Sequence, residues 1–158
     1  MELPLGITGQ QGRKDPVPEP PFTDLKAFRS HCHHAARVNG ATVQTIRDPY
    51  EGGSLSNYAV ARIQFSDNVV LVLVNQVRPI IAFAKSPSVE WQITFEYIDC
   101  PKLADAFLEV GEYTIAPGEV LNRPLLREMC ENLAPREKQR VRYYRPARVG
   151  DVIFNYWD

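Results

Sequence analysis

Residues Val69 to Val74 read Val-Val-Leu-Val-Leu-Val, six consecutive apolar residues of which four are β-branched. A bilayer-spanning helix needs about 20 apolar residues, so this run does not cross a membrane. Its composition favours a strand, and a strand that is apolar on both faces must be covered on both faces. It therefore belongs at the centre of a sheet between two layers, or at an interface. Its neighbours fit that reading. In Tyr58–Phe65, Ala59, Ala61, Ile63 and Phe65 share one face and Arg62 and Gln64 the other. Ser66-Asp67-Asn68 is turn chemistry, so the two segments form a hairpin. Thr42–Arg47 and Ile80–Ala84, the latter preceded by Pro79, are further strands, and Val89, Trp91, Ile93, Phe95 and Tyr97 alternate with polar residues. The connections are too short for crossovers, which predicts an antiparallel meander of about five strands.

Helical spacing brackets the meander. Leu25, Phe28, Cys32, Ala35 and Ala36 predict a helix over 24–37, capped by Thr23 and ended at Gly40. After Asp99 and Cys100, Pro101 takes the first-turn position, and Leu103, Ala106, Phe107 and Val110 share a face. Leu125, Leu126, Met129, Cys130 and Leu133 form another stripe. Residues 149–157 fit both periods, and the helical one fits slightly better. The expected fold is α+β: an N-terminal helix, the meander and C-terminal helices, as a single domain over 23–158. Residues 1–22 hold Pro4, Pro16, Pro18, Pro20 and Pro21 with Gly6, Gly9 and Gly12. That composition predicts a flexible lead-in outside the core, polyproline-like over DPVPEPP.

Composition narrows the function classes. The 18 basic and 19 acidic residues give a net charge of -1, which excludes a globally basic binder. The N-terminus carries Glu2 and no apolar stretch of the kind a secretory signal has. Three widely spaced cysteines predict a reducing, cytoplasmic setting rather than a disulfide framework. No motif calls for a cofactor.

Charge is segregated along the chain. Residues 134–148 carry Arg136, Lys138, Arg140, Arg142, Arg145 and Arg148 against Glu137, a net of +5, with Tyr143 and Tyr144 interleaved. Residues 96–131 carry eight acids against Lys102, Arg123 and Arg127, a net of -5. Arginine with aromatics binds phosphates and stacks bases. The equal totals favour the other reading, in which the two blocks neutralise each other within the fold or across a dimer. Candidate binding residues are thus Arg140, Arg142, Tyr143, Tyr144, Arg145 and Arg148, together with Arg47, Asp48, Tyr50 and Glu51 in the loop before the second strand.

All three histidines fall within His31-Cys32-His33-His34. His31 and His34 are the candidate metal ligands, but their three-residue spacing is poorer than four for chelation from a helix, and Cys32 points about 100° away. Cys100 at a helix start is a weak nucleophile candidate. Glu96, Asp99 and Lys102 lack the spacing of a metal-dependent nuclease. These residues point first to a non-catalytic binding or adaptor protein with a protein partner or homo-oligomer. A nucleic-acid binder comes second, and a metal-dependent hydrolase or nuclease third.

The ending Val149-Gly150-Asp151-Val152-Ile153-Phe154-Asn155-Tyr156-Trp157-Asp158, with Thr45-Ile46-Arg47-Asp48-Pro49-Tyr50, resembles small uncharacterised bacterial proteins, mainly cyanobacterial. The resemblance implies a cytoplasmic bacterial setting and no activity. The order of helix, meander and helices is also similar to ubiquitin-conjugating enzymes, but the chain lacks their His-Pro-Asn tripeptide before a cysteine.

Overall fold

The structure, a computed structural model, describes residues 2–51, 55–87 and 94–157. Strands β1 (Thr42–Arg47), β2 (Tyr58–Gln64), β3 (Val69–Asn75), β4 (Ile80–Lys85) and β5 (Tyr97–Ile98) lie side by side in chain order, each antiparallel to the next. The fold is α+β, with an N-terminal helix before the meander and helices after it. The β2–β3 hairpin turns where Ser66–Asn68 predict, closed by Phe65 N–H donating to Asn68 O. Of the alternating stretch 89–97, residues 88–93 lie outside the described residues, and only Tyr97–Ile98 is a described strand. A short β6 (Thr114–Ile115), which periodicity did not reveal, pairs parallel with β4 at Ile80 and Ile81.

β3 sits between β2 and β4, and both of its faces are covered as its composition requires. Val70, Val72 and Val74 pack under helices α1 (Leu25–Val38) and α2 (Pro101–Val110), where Phe28 and Phe107 stack with ring centres 6.0 Å apart. Asp24, not Thr23, caps α1 by accepting the Ala27 N–H, because the Thr23 hydroxyl is occupied with Asn75 O. Cys100 is the N-cap residue of α2, and the Asp99 carboxylate instead accepts the N–H of Gly118.

Leu71 and Leu73 face the opposite layer. It contains α3 (Gly118–Leu121), α5 (Val149–Ile153), the residues up to Trp157 and, contrary to the composition of residues 1–22, Leu3 and Ile7. Both of these side chains are fully buried, so the lead-in expected to lie outside the core begins inside it. The ambiguous ending divides: 149–153 is helical, and Phe154–Trp157 continues outside the helix. Gly150 is needed where α5 crosses Tyr97, since a Cβ there would lie 2.4 Å from the ring.

Three buried asparagines tie this layer together. The Asn57 amide donates to Ile7 O, Thr8 O and Ile153 O while its oxygen accepts the Asn155 N–H. Asn75 donates to Ile7 O and Ile153 O, and Asn155 to Thr8 O and Val152 O. These bonds satisfy backbone carbonyls that the irregular segment 7–8 and the last turn of α5 at 152–153 would otherwise bury unpaired.

The stripe Leu125–Leu133 does not form the expected helix. Only a 3-10 turn, Arg127–Cys130, occurs there, and the helix comes later, as α4 (Pro135–Tyr144) in the basic segment. Pro135 stops any helix from continuing through Leu133 and Ala134, because the residue before proline is steered out of the helical region. Ala134 accordingly has φ -66° and ψ 158°.

Candidate functional site

The basic block becomes a surface because α4 is pinned by its one acid. Pro135 occupies the first helical position, where a missing N–H costs nothing. Glu137, at the third, is fully buried. Its carboxylate accepts the N–H groups of Gly6 (2.8 Å), Ala134 (3.1 Å) and Thr8 (2.9 Å) and the Thr8 hydroxyl. Among the described residues no cation pairs with it, so these donors and the positive end of the helix dipole stabilise its charge. One turn on, Val141 and Tyr144 pack against the core, and Tyr144 stacks on Trp157 at 5.2 Å.

With that face committed, the cations of α4 turn outward. Arg136, Arg142, Tyr143 and Arg145 are exposed, Tyr143 to 74%, and Lys138 and Arg140 are half-buried. Arg145 ends the helix in the left-handed region at φ 49°. Beside α4 and the 3-10 turn lies a groove of about 780 Å³. Its lining is apolar at Leu125, Leu126 and Val141, cationic at Arg127, Lys138 and Arg142, and acidic at Glu128 and Glu131, with Cys130 between. Burial raises the Cys130 thiol pKa, with Lys138 opposing, so the sulfur is a poor nucleophile here.

The two charge blocks thus meet at one groove without closing on each other. Among the described residues no ion pair within 4.0 Å joins a cation of 134–148 to an acid of 96–131. The pairs present are Arg29–Asp48, Lys85–Glu96, Glu119–Arg123 and Arg148–Asp151. Among the described residues the two blocks form no contact ion pair, although Glu128 and Glu131 share the groove with Lys138 and Arg142.

The other sequence-derived candidates lie elsewhere. Arg148 is the N-cap residue of α5, bonded to Asp151, Phe95 O and Asn122 and lying 5.2 Å over the Tyr97 ring. In the loop after β1, Asp48 pairs with Arg29 at 3.0 Å, Glu51 accepts the Asp48 N–H, and the Tyr50 hydroxyl meets the Gln76 amide at 3.4 Å. Neither Arg47 nor these three lines the groove. The His31 ring nitrogen meets the Tyr113 hydroxyl at 2.6 Å, and burial, then His34, hold its pKa below the ordinary value against the pull of Asp24. Cys32 points into the core with its pKa pushed up by burial. No group of three His, Cys, Asp or Glu side chains among the described residues is placed to hold a metal.

Of the groove residues only Arg142 is among the binding candidates read from the sequence; Arg127, Glu128, Glu131 and Lys138 stand there only as members of the charge blocks, and Leu125 and Leu126 only as an apolar stripe. The two leucines read as core positions, and only the failure of 125–133 to form a helix turns them towards the groove. Comparisons with protein-family models, curated proteins and solved structures find no match, so the reading of this site rests on its own geometry.

Proposed function

We propose that the protein is a non-catalytic binding protein, adaptor-like, that works through protein–protein contact at the groove beside α4. One observation carries this: Lys138 and Arg142 border an apolar lining and have no ion-pair partner among the described residues. A partner carboxylate beside apolar surface is less screened than one in open water, and an apolar side chain next to it would cover Leu125, Leu126 and Val141. Arginine and tyrosine are the residues most enriched at binding hot spots. The three free cysteines fit the cytoplasmic setting that the resemblance to bacterial proteins implies. No helix among the described residues is long and apolar enough to cross a membrane.

A displayed random-peptide library selected on the protein, and counter-selected on the Lys138→Glu, Arg142→Glu variant, tests the reading. Enriched peptides should carry an acid next to an apolar anchor and bind the variant at least about tenfold more weakly, about 1.4 kcal/mol. Equal binding to both proteins would overturn it. Exposed Tyr143 among Arg136, Arg142 and Arg145 favours nucleic acid as the second reading. An oligonucleotide probe in the same assay should then bind and weaken steeply between about 50 and 200 mM salt.

A further inference from the structure

Resting on that reading, we propose that the occupant of the groove is the outer face of α2 from a second copy of this chain, so that copies join head to tail. α2 buries Leu103, Ala106 and Phe107. At helical spacing on the opposite side it exposes Asp105, Leu108 and Glu109, with Glu112 following just past the helix end. Leu108 is 53% exposed, an apolar side chain set among three acids. None of those acids has an ion-pair partner among the described residues. The groove side is cationic on balance: Leu126, 47% exposed, lies with Arg127, Lys138 and Arg142 against Glu128 and Glu131, with Arg145 added at the end of α4.

Three features favour a second copy over closure within one chain. α2 covers the Val70–Val72–Val74 face of the sheet, whereas Leu125 and Val141 pack with the Leu71–Leu73 face, so one molecule cannot reach its own groove. The net charge of -1 leaves no long-range repulsion between copies, while residues 101–112 carry -2 (Asp105, Glu109 and Glu112 against Lys102) and residues 134–148 carry +5. Pairing α4 with α4, or α2 with α2, would place like charges together, which disfavours a two-fold dimer through either face. Two different patches on opposite sides of a subunit make a heterologous contact, which builds chains or rings rather than stopping at a dimer.

Sedimentation velocity of the full chain tests this. At about 50 mM salt the sedimentation coefficient should rise steadily with concentration past that of a dimer. It should return to the monomer value at about 500 mM, where charges are screened within a few ångströms. Two variants altered only at exposed or groove positions separate the faces: Leu108→Ser with Glu109→Gln, and Lys138→Gln with Arg142→Gln. Each alone should remain monomeric. An equimolar mixture should form a 1:1 dimer and nothing larger, because one intact face of each kind remains. A wild-type monomer throughout, single variants that assemble like wild type, or an inert mixture would each overturn the inference. If the groove still selects acidic peptides while wild type stays monomeric, only the identity of the partner fails. If neither binding occurs, the proposed function falls as well.

Discussion

Glu137→Ala will destabilise the fold by about 3–5 kcal/mol, because hydrogen bonds to a charged group are strong and their buried donors are left unpaired. The side chain is fully buried and joins two segments far apart in sequence, accepting from Gly6 and Thr8 on one side and Ala134 on the other. Alanine leaves three N–H groups and a hydroxyl without their acceptor, and each unpaired buried donor costs about 1–3 kcal/mol before any relaxation. Glu137→Gln keeps the shape but turns one acceptor into a donor facing Gly6 and Ala134 or Thr8, so it should cost about 2 kcal/mol. Urea unfolding measures both. Protease cleavage between residues 9 and 20 should also become faster in Glu137→Ala, because the carboxylate holds residues 6–8 against α4. Loss of less than about 1 kcal/mol in the alanine variant would mean that residues 3–8 are held by Leu3, Ile7 and the asparagine hydrogen bonds without help from Glu137.

Asn57→Asp is the second large effect. The Asn57 amide nitrogen lies 3.1 Å from Ile7 O, 3.2 Å from Thr8 O and 3.1 Å from Ile153 O. A carboxylate there would face three acceptors with no proton to offer. The expected cost at neutral pH is about 3 kcal/mol or more, from lost hydrogen bonds and from burying the carboxylate or protonating it to avoid that burial. The sign of its pH dependence follows. The new carboxyl is held protonated in the folded state, so its folded pKa lies above its unfolded value. Protons then favour the fold, and part of the loss should be recovered as the pH falls through the folded pKa. Denaturant melts at pH 7 and pH 5 measure this, and an equal loss at both would contradict the donor role assigned to Asn57.

The central layer was legible because it rests on local pattern. Val69–Val74 required two covering layers, Ser66–Asn68 required a hairpin, and Leu25–Ala36 with Gly40 bounded α1 to within one residue. The opposite layer was not legible, for physical reasons. α4 has only Val141 and Tyr144 facing the core, because Glu137 fills the position where an apolar residue would mark the period. The usable signal was Pro135 with an acid two residues on, a helix start without a hydrophobic stripe. Leu3 and Ile7 lay in a Pro/Gly-rich segment whose stabilising partners, Glu137 and Asn57, are distant in sequence. Segregation of charge was visible, but whether the blocks pair depends on which way α4 faces, and that follows from Glu137.

On the proposed function, the α4 cations serve a partner rather than the fold. A Lys138→Gln, Arg142→Gln, Arg145→Gln variant tests it most directly, since glutamine keeps similar helix propensity while removing the charges. Arg142 and Arg145 are exposed and Lys138 is half-buried, and surface substitutions of this kind usually change stability by no more than about 0.5 kcal/mol each. The expected result is a Tm within about 6 °C of wild type together with loss of groove binding and of self-association. A Tm lower by about 10 °C or more would show that these cations are engaged in holding the fold, and would contradict it.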